Sequence, residues 1–130
     1  MTYRILLVED QEGLRNSIER GLRLHQYEVR AVSTMAEAKA ALQSERIDLV
    51  LSDVTLQGAS SGFDLAAWAR DRRPGLPILL ISGMALFFAP PELHDDPAVR
   101  LLAKPFHMAT LVTNLTELLA WRDEHKGTVD

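Results

Sequence analysis

Five side chains in this 130-residue chain have the types and spacing for phosphorus and metal chemistry: Glu9, Asp10, Asp53, Ser82 and Lys104. Three carboxylates brought together repel, and at least one pKa rises unless a cation neutralises them. Hard oxygen ligands with no histidine or cysteine beside them suit magnesium, or manganese in its place, rather than zinc. With all three carboxylates ionised the formal charge is about −3, and one divalent ion plus Lys104 brings it near zero. A carboxylate can also attack phosphorus and form an acyl phosphate. Asp53 is the candidate nucleophile, a single carboxylate fixed by the strand before it, and the Glu9-Asp10 pair is better suited to hold metal. Phosphoryl transfer depends on positioning and on neutralising the equatorial oxygens. Lys104 and the Ser82 hydroxyl are placed to assist both.

Each of these residues ends an apolar run: Ile5-Leu6-Leu7-Val8 before Glu9, Leu49-Val50-Leu51-Ser52 before Asp53, Ile78-Leu79-Leu80-Ile81 before Ser82, and Leu101-Leu102-Ala103 before Lys104. Runs that are apolar at consecutive positions suit strands of a parallel sheet covered on both faces. The carboxyl ends of such strands gather along one edge, where open α/β folds bind ligands. Between the strands, Leu14, Ile18, Leu22 and Leu24 recur at helical spacing, and Thr34-Met35-Ala36-Glu37 has the form of a capping box opening a helix through about Ser44 with Ala38, Ala41 and Leu42 as its apolar face. Tyr27 to Val32 reads as a second strand, Asp48 to Val54 as the third and Arg100 to Ala103 as the fifth. Ser61-Gly62-Phe63-Asp64 opens a third helix that Arg73-Pro74-Gly75 ends, and Leu111, Leu115, Leu118 and Leu119 mark the last. Residues 83–98, interrupted by Pro90, Pro91 and Pro97, read as irregular, with room for a short helix only. The expectation is an α/β fold, a three-layer open parallel five-stranded sheet with right-handed crossovers.

Composition narrows the function classes. The chain is 47% hydrophobic and 25% charged, with a formal charge of −4 and a pI near 5.5, so it offers no basic surface for duplex DNA or an anionic membrane. Without cysteine it has no disulfide, thiolate metal site or cysteine nucleophile. The first strand starts too close to Met1 for a signal peptide, and no apolar stretch approaches bilayer length, so the expectation is a cytoplasmic domain. His25, His94, His107 and His125 lack metal-ligand spacing and read as surface residues. Trp68 and Trp121 read as partly buried, and Arg70-Asp71-Arg72-Arg73 as a solvated helix end.

Glu9-Asp10, Asp53, Ser82-Gly83 and Lys104-Pro105-Phe106, in that order and with 43, 29 and 22 positions separating Asp10, Asp53, Ser82 and Lys104, resemble the receiver domain of two-component response regulators. The resemblance covers nearly the whole chain. It implies a flavodoxin-like strand order 2-1-3-4-5, a receiver domain over residues 1–123, and a tail or the start of a linker over 124–130. It further implies a phosphoacceptor signalling switch in which Asp53 takes a phosphoryl group from a sensor histidine kinase or phosphotransfer domain and relays a change to an output domain or protein. The implied magnesium ligands are Asp10, Asp53 and the Thr55 backbone carbonyl, with Glu9 acting through a water. Lys104 would contact the phosphoryl oxygens, its peptide bond to Pro105 would be cis, and Ser82 would swing toward them.

The chain departs from that pattern at three places. Gln57 stands where the loop after the acceptor commonly has proline, and Gly62 falls one position later than in the commonest form. Leu101 replaces the usual aromatic residue three positions before the lysine. The segment with Pro90-Pro91 replaces a regular fourth helix, as in receivers associated with hybrid sensor kinases, and its Leu86-Phe87-Phe88 reads either as core packing or as a partner surface. Two other functions compete. A phosphohydrolase forming an aspartyl phosphate wants a second aspartate where Thr55 stands, and a degenerate receiver acting as a phosphorylation-independent interaction module would not need the full acidic set with its lysine.

Overall fold

The computed structural model describes residues 2–56, 61–83 and 90–125. Five strands alternate with five helices: β1 (Arg4–Val8), α1 (Glu12–Leu24), β2 (Glu28–Val32), α2 (Met35–Ser44), β3 (Leu49–Asp53), α3 (Gly62–Arg72), β4 (Ile78–Ser82), α4 (Pro91–His94), β5 (Val99–Ala103) and α5 (Met108–His125). The strands form one parallel sheet in the order β2-β1-β3-β4-β5. The consecutive apolar residues of the central strands serve two cores at once. Ile5 and Leu7 face one layer with Ile18, Leu22, Leu111 and Leu115 of α1 and α5. Leu6 and Val8 face the other, with Ala38, Ala41, Leu65 and Ala69 of α2 and α3. A side-chain period of two on a sheet covered on both faces requires this division. Each fully buried leucine or isoleucine contributes roughly 1.5–3 kcal/mol.

The helix ends follow local chemistry. Thr34 Oγ1 accepts from the Glu37 N–H at 3.1 Å, while the Glu37 carboxylate turns back to the Ser33 N–H at 3.2 Å, one residue beyond the Thr34 N–H of the reciprocal bond that the sequence pattern predicts. At α3 the box is complete: Ser61 Oγ accepts from the Asp64 N–H and Asp64 accepts from the Ser61 N–H. Gly75, at φ 83°, turns the chain from α3 to β4, and Gln26, at φ 72°, does so after α1. Only the first carries the usual glycine; an L-residue in the left-handed region costs roughly 1–2 kcal/mol.

Three sequence expectations change. Leu24 is 74% exposed, because it lies only two positions beyond buried Leu22 and so turns to another side of α1. The arginines at the end of α3 are not all solvated: Arg70 binds Asp96 at 2.6 Å and the Arg73 and Leu76 carbonyls at 3.1 and 2.7 Å, and Arg73 donates to the Ile47 carbonyl at 2.9 Å. They fix the turn into β4. His125 is half-buried and stacks on Trp121 at 4.3 Å between centroids, whereas His25, His94 and His107 are exposed. The helical turn near Pro90-Pro91 is α4, which starts at Pro91, where proline's missing donor costs nothing. Gln57 and Leu86-Phe87-Phe88 lie outside the described residues. No helix among the described residues is long and apolar enough to cross a membrane.

At the amino edge of the sheet, Asp48 is 3% exposed and accepts from Arg122 at 2.6 Å and from the Arg4 N–H at 2.7 Å, with Arg46 at 3.4 Å. Burial acts to raise its pKa, but the Arg122 and Arg4 hydrogen bonds and the charges of Arg122 and Arg46 together hold it below the usual carboxylate value. Its stabilising contribution is therefore present above the ordinary carboxylate range and is lost as pH falls through the depressed value. Urea unfolding should give Asp48→Asn a deficit of about 2 kcal/mol at pH 7 that closes toward pH 3. A deficit that does not change with pH would show that the charge is not what Asp48 contributes.

Candidate functional site

Strand register sets the site. Val8 pairs with Ser52, so the residues that follow, Glu9 and Asp53, stand at one level on neighbouring strands. Asp53 pairs with Ile81, which puts Ser82 one step further out, and Ser82 pairs with Ala103, which puts Lys104 beyond it. Four apolar runs of matched length thus deliver five polar residues to one edge. Glu9, Asp53 and Ser82 are buried, at 0%, 5% and 2% exposure, while Asp10 is half-buried in the loop to α1.

The Asp53 carboxylate is held from both sides. The Lys104 ammonium bonds to its Oδ2, and the Thr55 N–H donates to its Oδ1 at 2.9 Å. Lys104 is positioned by its own backbone, whose N–H donates to the Ser82 carbonyl at 2.9 Å, and its bond to Pro105 is cis, as the resemblance implies. Glu9 is fixed equally closely. Its N–H donates to the Val32 carbonyl at 3.1 Å, its carbonyl accepts from Arg15 at 3.0 Å, and its Oε2 accepts from the Gln11 N–H at 3.1 Å. The other oxygen, Oε1, is buried without a hydrogen-bond partner, 4.0 Å from the Lys104 ammonium.

Burial pushes the Glu9 carboxyl up to about 7. The nearby Asp53 carboxylate adds to the rise, and the Gln11 N–H and Lys104 act against it. One lysine therefore serves two buried carboxylates and neutralises only part of their charge. Among the described residues no three His, Cys, Asp or Glu side chains stand together as a ready ligand set. The donors nevertheless fit a small divalent cation: they are all hard oxygens, and Glu9 Oε1 is an unsatisfied buried oxygen that such an ion or its water would stabilise.

Glu9, Asp53 and Lys104 are thus in mutual contact, with Ser82 on the adjoining strand end and Asp10 in the loop that follows Glu9. Sequence reasoning missed the Thr55 and Gln11 amides and the Arg15 clamp. Backbone donors leave no mark in residue type, and an arginine on a helix has no signature for reaching a carbonyl six positions back. Leu101 is half-buried against the core beside α3. Beside Lys104 a largely apolar cleft of about 590 Å³ opens between α1 and the start of α5, lined by Leu14, Ile18, Pro105, Phe106 and Met108 among others.

Residues 5–116 match the response regulator receiver domain family. The response regulator receiver protein CpdR of Brucella abortus is 32% identical over 116 residues, covering 89% of this chain and 96% of that protein. The response regulator protein FleR of Pseudomonas aeruginosa is 34% identical over 112 residues, and there the chain spans about a quarter of the relative's length, 24%. Among solved structures, a response regulator receiver protein from Sinorhizobium medicae superposes with a TM-score of 0.83 at 33% identity, over 93% of this chain and 97% of that one. With its strand order and its edge of buried carboxylates beside a lysine, the chain belongs to the response regulator receiver domain family.

Proposed function

We propose that the chain is a phosphoacceptor switch in which Asp53 takes a phosphoryl group from the phosphohistidine of a sensor kinase or phosphotransfer domain. The observation that supports this most is the Asp53 carboxylate itself, held at the end of β3 between the Lys104 ammonium and the Thr55 N–H beside buried Glu9. In the transfer, an Asp53 carboxylate oxygen bonds to phosphorus as the phosphorus–nitrogen bond breaks, and the electron pair leaves with the imidazole. Lys104, already on Oδ2, needs only a small movement to meet the phosphoryl oxygens. Ser82, next along the edge, would bond a further oxygen and pass the change outward through β4.

Asp10, Asp53 and the Thr55 carbonyl would hold magnesium, or manganese in its place, with Glu9 acting through a water. When bound, the ion would supply the charge neutralisation that Lys104 alone leaves incomplete. The largely apolar cleft next to Lys104 supports a protein phosphodonor, since among the described residues that line it only Ser17 and the lysine carry polar side chains. The acidic balance argues against direct nucleic-acid contact, and the domain is read as acting in the cytoplasm. It promotes its own phosphorylation and dephosphorylation and turns over no free metabolite. The degenerate-receiver alternative is less well supported, because a binding module has no use for a buried carboxylate pair that costs stability.

Incubation with acetyl phosphate and magnesium should add one phosphoryl group per chain by intact-mass measurement, none to Asp53→Asn, and none in the presence of a chelator. Turnover of many equivalents would indicate a hydrolase, and no uptake by the folded wild type would indicate a pure interaction module.

Glu9 predicts a pH effect of opposite sign to that of Asp48. Its pKa is raised in the folded chain, so in metal-free protein its contribution is fully present below the ordinary carboxylate range and is lost as pH rises through about 7. Glu9→Gln should therefore become more stable relative to wild type between pH 5 and pH 8, by on the order of 1 kcal/mol in chelator. Equal pH profiles for the two proteins would mean that Glu9 is already ionised in the folded state.

A further inference from the structure

β3 ends at Asp53, and nine positions later the chain returns to lie against it. Thr55 and Ser61 form an isolated antiparallel bridge, and the Gly62 N–H donates to the Val54 carbonyl at 2.7 Å. Gly62, the first residue of α3, therefore rests on the backbone of the acceptor. A Cβ on Gly62 would stand 2.4 Å from the Asp53 carbonyl oxygen, 2.9 Å from the Val54 Cα and 3.1 Å from the Asp53 carbonyl carbon. These backbone atoms have little freedom to retreat. The Val54 N–H is bonded to the Ile81 carbonyl at 2.9 Å, and the buried Ser52 hydroxyl donates to the Asp53 carbonyl at 2.9 Å. Gly21 offers the contrast: a Cβ there would meet the Met108 Cε at 2.3 Å, the end of a flexible side chain that can swing aside.

We propose that Gly62 is a positioning residue for phosphoryl acceptance: the missing side chain lets α3 seat directly on the Asp53-Val54 backbone, and this seating sets where the Thr55 amide stands relative to the Asp53 carboxylate. The proposal rests on the reading of Asp53 as the acceptor. Relieving a 2.4 Å contact to ordinary van der Waals separation needs a displacement of roughly 1 Å, enough to cost up to ~10²-fold in rate when a reacting group is misplaced. The displacement has one soft outlet. Asp53 Oδ2 is tied to Lys104, just beyond the end of β5, so movement of the outgoing backbone stretches or tilts the 2.9 Å bond from the Thr55 N–H to Oδ1.

The test compares Gly62→Ala with Leu118→Ala, which opens a cavity in the core on α5 and serves as a destabilised control. Two readouts apply: the Thr55 amide resonance in 15N–1H NMR spectra, and the rate of acetyl phosphate uptake at saturating magnesium per folded molecule. Gly62→Ala should move the Thr55 amide and slow uptake by ~10²-fold, while Leu118→Ala should leave both unchanged. Should Gly62→Ala not fold, Ser61→Ala removes the cap of α3 without adding an atom. It should move the same amide and slow uptake several-fold. An unmoved Thr55 amide with an unchanged rate in whichever variant folds overturns the proposal, as does an equal effect in the control. A wild type that takes up no phosphoryl group overturns the functional reading instead, and the Thr55 amide then still decides whether Gly62 positions the acceptor's surroundings.

Discussion

Burying two carboxylates side by side is the constraint on which the rest of this molecule depends. Glu9 and Asp53 come level because β1 and β3 pair in register, and both are nearly inaccessible to solvent. Two like charges in such a place are tolerated only when a cation faces them or one takes a proton. Lys104 supplies the first remedy in part, and burial, with the neighbouring Asp53 carboxylate adding to it, favours the second by pushing the Glu9 pKa up to about 7. The unpaired Glu9 oxygen beside Asp53 is what the proposed divalent ion would stabilise.

The scaffold keeps this costly arrangement in place from the opposite pole. At the amino edge Asp48 gathers the Arg4 backbone, Arg46 and Arg122, tying the far end of α5 to β1 and β3, and Arg70 and Arg73 lock the turn from α3 into β4. Between the two edges lie leucines, isoleucines and valines with almost no exposure. A buried carboxylate is fully paired at one end of the sheet, and at the other Glu9 is buried with one oxygen unpaired. Rigidity matters because phosphoryl transfer draws its rate from placement more than from covalent participation by the protein.

Much of this was legible in the sequence, and the reason is physical. Consecutive apolar residues ending in a polar one identify covered parallel strands and their carboxyl ends together, so the sheet and the residues at its edge follow from one pattern, while the strand order came only with the resemblance to receiver domains. Short strands misplace their ends by a residue: β3 runs from Leu49 to Asp53 rather than from Asp48 to Val54, since the pattern marks burial and not pairing. Backbone contributions were not legible. The Thr55 and Gln11 amides, the left-handed Gln26 that stops α1 and the seating of Gly62 on Asp53 all depend on main-chain path, which residue type records poorly. The arginines of α3 misled for the converse reason, since a charged run at a helix end reads as solvated unless the carbonyls it will meet are known.

The proposed switch requires Asp10, Asp53 and the Thr55 carbonyl to hold one divalent ion in the folded chain. Anomalous diffraction from crystals grown with manganese tests it most directly. A single strong peak is expected within bonding distance of both carboxylates and that carbonyl, with the Lys104 ammonium still beside Asp53. Crystals saturated with manganese that carry no peak at this edge, with Lys104 alone on the Asp53 carboxylate, would contradict it.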